Sequence, residues 1–245
     1  MAPPRELFRR HPYLRAVIDA VLEERQGKIV TVDDPPQAAR LDLGCYRVPA
    51  GDPGADAARR LLVDLTGPAE LVVPDDDRWR HLLADVFGDR IEDRSMRAYL
   101  PGKLEVGRLQ GLAAVLPDGY RLADVSVTEA AGMGDDLAPH GVDVFGGPET
   151  FARDGFGICA LTGTEVAAQS TTYALGADKA EVAIATHPDH RGKGLATAVG
   201  AAMLATCLRR QVVPHWNAYN PVSQRLALRL GLVQVGVCEI LALDG

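Results

Sequence analysis

Glu181-Val182-Ala183-Ile184-Ala185-Thr186-His187-Pro188-Asp189-His190-Arg191-Gly192-Lys193-Gly194-Leu195-Ala196 is the stretch that decides how this chain is read. An apolar strand ends at Pro188, whose nitrogen cannot donate to a ladder. A tight turn follows, Arg191 to Gly194, and a helix of small apolar residues is expected from Leu195 to Leu208. The first N–H groups of a helix lack intrahelical acceptors and sit at the positive end of its dipole, so they attract anions. Gly192 and Gly194 let the backbone approach an oxygen with no Cβ in the way. The turn is a candidate phosphate site. The plainer reading is a glycine turn that joins strand to helix.

Three rival motifs fit less well. A P-loop needs GxxxxGK followed by Ser or Thr, and Gly192-Lys193-Gly194 lacks both the first glycine and the hydroxyl. A dinucleotide fingerprint needs a third glycine where Thr197 stands, and an acid about 20 residues on for the ribose. A metal site from His187, Asp189 and His190 has suitable atoms, but the sequence shows no helix or strand that holds the pair on one face. No metal is expected.

From His190 to Cys238 there is no Asp or Glu, and this stretch carries Arg191, Lys193, Arg209, Arg210, Arg225 and Arg229. The whole chain has 26 Lys and Arg against 33 Asp and Glu, so a local excess of six cations stands against a net −7. That is a candidate anion-attracting surface, although some of these arginines belong to solvated helix faces. The overall negative charge argues against a nucleic-acid binder.

Downstream, Pro214-His215-Trp216-Asn217-Ala218-Tyr219-Asn220-Pro221-Val222-Ser223 couples a strand to a helix. Asn220 before Pro221 reads as an N-cap with proline at the first helical position. Pro214 within a strand implies one side without a ladder partner, as in a strand splayed from its neighbour. A gap between parallel strands is also a place where an extended ligand can pair with free backbone groups.

Upstream, Gly157 to Leu161 and Glu165 to Ala174 flank Thr162-Gly163-Thr164, a hairpin signal. Leu116-Pro117-Asp118-Gly119 is a turn and the expected boundary, giving an N-terminal α/β domain over 1–117 and a second domain over 118–245. In the first, helices are expected over Tyr13 to Gln26, Ala55 to Leu65 and Asp75 to Phe87, with strands at Lys28 to Val32, Arg40 to Val48 and Glu70 to Val73.

At 245 residues, with 47% hydrophobic and 24% charged residues, the chain is a mixed α/β globular protein and neither disordered nor fibrous. Its longest uncharged apolar run, Leu195 to Leu208, is too short for a bilayer, so no membrane partner is expected. Four cysteines with no CxxC pair read as reduced thiols in a cytoplasmic protein.

Together these pieces resemble the GNAT superfamily of acyl-CoA N-acetyltransferases. The family's pyrophosphate motif, Q/R-x-x-G-x-G/A, stands here as Arg191 to Ala196. Thr186-His187-Pro188 matches the strand end before it, and Asn220, Ser223 and Gly231-Leu232 fall on the family's N-x-x-A/S…G-F/L helix pattern. The likeness runs from about Phe145 to Leu232 and resembles a bacterial branch with an extra N-terminal domain.

The resemblance implies a twisted mixed sheet flanked by helices, with acetyl-CoA as the donor substrate. It implies that Arg191, Gly192, Lys193, Gly194, Leu195 and Ala196 hold the pyrophosphate. Ala185, Thr186 and His187 would pair with the pantetheine, and Asn220 and Ser223 would face it near the thioester. The expected function is acetyl transfer to a small-molecule or protein amine; the alternative is a non-catalytic acyl-CoA-binding module.

The attacking amine must be neutral, so a base helps. Glu181, five residues before Thr186, sits where many relatives place a glutamate base; the alternative is a strand-start surface glutamate. The tyrosine that many relatives carry seven residues after the asparagine is Ala227 here, so Tyr219 or water would protonate the leaving thiolate. Asp124 to Asp154 holds seven acids against Arg153 alone, which suits either a cationic acceptor or a solvated loop.

Overall fold

The computed structural model describes residues 5–11, 13–74 and 76–244. In chain order these form helix α1 (Arg15–Leu22), strands β1 (Lys28–Val30), β2 (Ala38–Leu43) and β3 (Tyr46–Gly51), helix α2 (Asp56–Val63), strand β4 (Ala69–Val72), helix α3 (Asp77–Phe87) and strand β5 (Ile91–Pro101). Helix α4 (Val106–Ala113), strand β6 (Tyr120–Asp124) and helices α5 (Val127–Ala131) and α6 (Pro148–Asp154) come next. Strands β7 (Gly157–Thr162), β8 (Glu165–Leu175) and β9 (Lys179–Thr186), helix α7 (Leu195–Arg209), strand β10 (Val213–Ala218), helix α8 (Pro221–Leu230) and strand β11 (Leu232–Leu243) complete the chain.

The chain divides into two compact units. One runs up to Ala98 and takes back residues from Gly236 onward; the other is Tyr99–Val235. The division therefore falls inside β5 and β11, not at the Leu116–Gly119 turn. No Pro or Gly stands where the division crosses β5, and in β11 the lone Gly236 lies inside an apolar strand, so the sequence offers no turn-like mark of it.

In the first unit the strands lie in the order β1-β2-β3-β4-β11. Only β3 and β4 pair in parallel. The expected single strand from Arg40 to Val48 is a hairpin instead. Gly44, at φ 53, turns the chain so that Leu43 faces Tyr46. Helices α2 and α3 bury Leu61, Leu62, Trp79 and Leu83 against Leu71 and Leu241, each worth roughly 1.5–3 kcal/mol of apolar transfer. Inside this unit the buried Arg40 guanidinium donates twice to Asp42, at 2.7 and 2.9 Å, and once to the Leu61 carbonyl. Asp76 caps α3 by accepting from the Arg78 N–H; Asp75, the expected start of this helix, lies outside the described residues.

The second unit is a sheet in the order β10-β9-β8-β7-β6. Its pairs are antiparallel except β9 with β10, which is parallel. Helix α7 packs on both sides, as its lack of a polar face requires. Met203 and Leu204 meet Trp216 and Leu230, while Leu195 and Val199 meet Ala160, Ala167 and Ala168. At Gly200 a Cβ would stand 2.9 Å from Leu230 Cδ1, so glycine is what lets α8 approach. Two elements, β5 and α4, lie in a stretch without clear periodicity, marked only by the Pro101-Gly102 turn between them.

Candidate functional site

The turn between β9 and α7 has the form the sequence requires. Gly192 and Gly194 have φ 77 and 82, the left-handed region, and a Cβ on either would meet nothing within 4 Å. Gly194 is the N-cap of α7 and offers no capping side chain. Thr197 and Ala198 already donate to the Gly194 carbonyl. Among the described residues nothing accepts from the N–H groups of Gly192, Lys193, Gly194, Leu195 or Ala196. Arg191 to Gly194 are exposed. This is a concave row of donors at a helix start, which binds anions.

The side chains of the turn are held from behind. Arg191 Nε donates to the Thr186 carbonyl at 3.2 Å. Lys193 Nζ donates to the Asp189 carbonyl at 3.1 Å and to Tyr120 Oη at 3.0 Å. A cavity of about 330 Å³ adjoins the turn, where apolar Leu112, Val115, Leu116 and Pro117 face Lys193 and Arg229. Arg209 and Arg210 stand at the far end of α7, roughly 20 Å along the helix. There Arg209 bonds Thr206 Oγ1 and Arg210 stacks on Phe156. The cations of the acid-free stretch thus do not form one surface.

Beside the turn, β9 and β10 part. Their register runs Val213↔Lys179, Pro214↔Ala180 and His215↔Glu181 and stops there, although both strands continue. Val213 N–H donates to the Asp178 carbonyl, so on β10 the odd-numbered residues face β9, and the nitrogen of Pro214 faces away from it. Asn217 is the next odd residue after the ladder ends. Its N–H donates to Glu181 Oε1 at 2.9 Å, and its Nδ2 donates to Glu181 Oε2 at 2.9 Å. The Glu181 carboxyl therefore stands in for the missing strand carbonyl at the point of the split.

Glu181 is buried, so it is not a surface glutamate; desolvation pushes its pKa up to about 8, against the two Asn217 bonds that favour the ion. Asn217 Oδ1 is buried with no partner among the described residues.

The same alternation decides which groups of β9 line the gap. The His187 N–H donates to the Ala167 carbonyl of β8, and Ala185 is in register with Gln169. Odd-numbered β9 residues thus face β8, and the expected edge of Ala185, Thr186 and His187 is redrawn. Backbone groups of Val182, Ile184 and Thr186 face the gap, with the Thr186 carbonyl already held by Arg191.

Asn220 caps α8 by accepting from the Ser223 N–H at 2.9 Å, and Ser223 Oγ accepts from Trp216 Nε1 at 2.9 Å. Tyr219 precedes the cap and is 39% exposed. Ala227 is fully buried in the core, so no phenol replaces the missing tyrosine there. Several acids of the segment 124–154 are engaged locally. Glu129 closes a capping box with Ser126, and Asp154 pairs with Arg153.

The structure brings together one group that spacing alone did not. His187 and His190 lie on either end of a 3₁₀ turn over Pro188–His190, with ring centroids 5.6 Å apart. In a 3₁₀ turn residues three apart eclipse, so the two histidines do share a face. Glu165, at the start of β8, joins them: His190 Nε2 lies 3.1 Å from Glu165 Oε1.

The family model for the GNAT acetyltransferases matches residues 5–240, so it reaches across both units. A Bacillus subtilis protein, the uncharacterised N-acetyltransferase YdfB, is 38% identical over 87 residues, which is 35% of this chain. The match spans 33% of that relative's length. A GCN5-related N-acetyltransferase-like protein from Streptococcus suis superposes with a TM-score of 0.86 at 25% identity, covering 98% of this chain and 96% of that one. A GCN5-related N-acetyltransferase from Kribbella flavida shares the fold at a TM-score of 0.59 and 19% identity, covering 96% and 97%. No helix among the described residues is long and apolar enough to cross a membrane.

Proposed function

Since the chain belongs to the GNAT acetyltransferase family, we propose that it transfers an acetyl group from acetyl-CoA to an amine by direct attack on the thioester. The observation that carries this reading is an open row of N–H groups beside a parted pair of parallel strands. CoA joins a pyrophosphate to an extended arm with two amides, and the two features match those two parts. The pyrophosphate takes the N–H groups of Gly192 to Ala196 with Arg191 and Lys193 near. The arm runs along Val182, Ile184 and Thr186, which Ala185 and His187 tie to β8, and passes Asn220 and Ser223 at the start of α8. The apolar cavity with Lys193 and Arg229 suits the nucleotide end.

The thioester then lies toward the closed end of the gap, where Glu181 stands. The amine nitrogen bonds to the thioester carbon and gives its proton to the Glu181 carboxylate, directly or through a water. The C–S bond breaks and sulfur leaves as a thiolate, which takes a proton from Tyr219 or solvent. A thiolate is a good leaving group near neutral pH, so the alanine at 227 does not prevent turnover. That same alanine favours the second reading, a non-catalytic acyl-CoA-binding module.

The acids of 124–154 other than Glu129 and Asp154 suit a cationic amine, on a small molecule or a protein, as acceptor. None of the four cysteines is joined in a disulfide among the described residues, which fits the cytosol. The test is thiol release from acetyl-CoA with a panel of amines. Release that depends on the amine supports the enzyme, and CoA binding with no release by any amine supports the binding module.

A further inference from the structure

We infer that Glu165, His187 and His190 form a binding site for one divalent transition-metal ion of the zinc class. One ligand atom from each, an imidazole nitrogen or a carboxylate oxygen, lies within 4.8 Å of the other two. Ligands around a tetrahedral ion with bonds of about 2.1 Å stand about 3.4 Å from one another. A pair 4.8 Å apart would therefore need to close by about 1.4 Å, a distance within the reach of side-chain rotation. Two imidazoles and a carboxylate are the donor set of zinc, cobalt and nickel rather than of magnesium or calcium.

The fold places each ligand independently. His187 follows β9, and its N–H is fixed to the Ala167 carbonyl. Glu165 is two residues before Ala167 on β8, hence on the same face of the strand. His190 is set by the 3₁₀ turn. The surroundings include orienting partners of the kind metal ligands use. His190 Nδ1 lies 2.8 Å from Tyr120 Oη, and His187 Nδ1 accepts the Asp189 N–H at 3.4 Å. The His190 side chain is 12% exposed, His187 32% and Glu165 57%, so an ion has a way in and room for a water as a further ligand.

One group opposes the ion. Lys193 Nζ stands 3.5 Å from His190 Nδ1, and its charge lowers affinity for any cation. Removing that charge is accordingly part of the test.

Zinc and cobalt are titrated into the full chain without CoA, by calorimetry and by visible absorption of bound cobalt. The expected result is one ion per chain, with a cobalt spectrum of nitrogen and oxygen ligands and no thiolate band. His190→Gln and Glu165→Gln should each weaken binding at least about tenfold, while circular dichroism confirms that both remain folded. Lys193→Met should tighten it. An ion bound equally well by the His190→Gln and Glu165→Gln variants, a thiolate band from Cys45, or no stoichiometric binding to the wild type overturns the site. Because CoA is absent throughout, failure here leaves the donor-site reading where it was.

Discussion

Gly51 in the first unit and Gly194 in the second have nearly the same backbone, φ 96 and 82, and opposite surroundings. A Cβ on Gly51 would stand 2.3 Å from the Gln37 carbonyl oxygen, whereas one on Gly194 would meet nothing within 4 Å. Glycine serves packing at position 51 and leaves open space at position 194. Particular polar groups repeat the contrast, although the first unit too holds buried atoms without a partner among the described residues, Asp33 Oδ1 and Glu70 Oε2. In the first unit Arg40 and Asp42 answer each other's bonds, and buried His11 lies 2.8 Å from the Pro49 carbonyl. In the second, a row of N–H groups meets no acceptor among the described residues, and a buried carboxyl stands at the point of the split. Satisfied groups fold a protein; a site is where the fold leaves groups for something else to satisfy.

The sharpest way to break this contrast exchanges one carboxyl in each unit. Asp42→Asn leaves Arg40 buried without its counter-charge and should cost about 3–5 kcal/mol of stability. Glu181→Gln should lower kcat roughly 10²- to 10⁴-fold with no comparable loss of stability and little change in CoA affinity. A hydrazide acceptor, neutral at pH 7, separates the enzyme's base from the amine's own ionisation. If Glu181→Gln keeps wild-type rates on both acceptors, Glu181 only holds Asn217.

The glycines come next. A CoA concentration about 100 times Kd should stabilise the wild type by about 2.7 kcal/mol. Gly194→Val should abolish that shift while its own backbone strain costs only about 1–2 kcal/mol. Gly51→Ala should lower Tm whether or not CoA is present. A Gly194→Val protein that still responds to CoA refutes the turn as donor site.

The pH dependence of stability should bend in opposite directions in the two units. Glu181 is raised from an ordinary 4.5 to about 8 when folded. Between those values the folded chain holds a proton that the unfolded chain has lost, so stability falls as pH rises. His11, buried, is lowered from 6.5 to about 4. Between those values the unfolded chain holds the extra proton, so stability falls as pH drops. Thermal melts from pH 4 to 9 should show Glu181→Gln flattening the alkaline side and His11→Gln the acidic side. Exchange of those two effects would reverse the assignment.

The smallest effect is electrostatic. Arg191→Glu should weaken CoA binding and its salt sensitivity more than Arg209→Glu, which lies at the other end of α7. Equal losses would mean a diffuse attraction.

What the sequence made legible was local chemistry. The turn at Arg191 to Ala196, the Asn220-Pro221 cap and the Gly163 hairpin are each specified by residues within a few positions. Gly44 also marked a turn, but the β-rich residues on both sides hid it in one apparent strand. Glu165 escaped notice because its place beside His187 depends on strand register across a hairpin, 22 positions away in the chain. The splay was anticipated at Pro214 but begins two residues later, since the proline nitrogen faces the other neighbour.

Strand β11 has a consequence for biosynthesis. Its Ile240 to Leu243 pair with Val72 to Ala69 of β4, yet the ribosome makes them after the whole of Tyr99–Val235. The first unit to emerge is thus the last whose sheet can be finished, and until then β4 offers an open edge. A chaperone that shields strand edges should engage nascent chains stopped before residue 236 and release those that extend through Leu243. Moving the β11 sequence to the front by circular permutation should shorten that exposure.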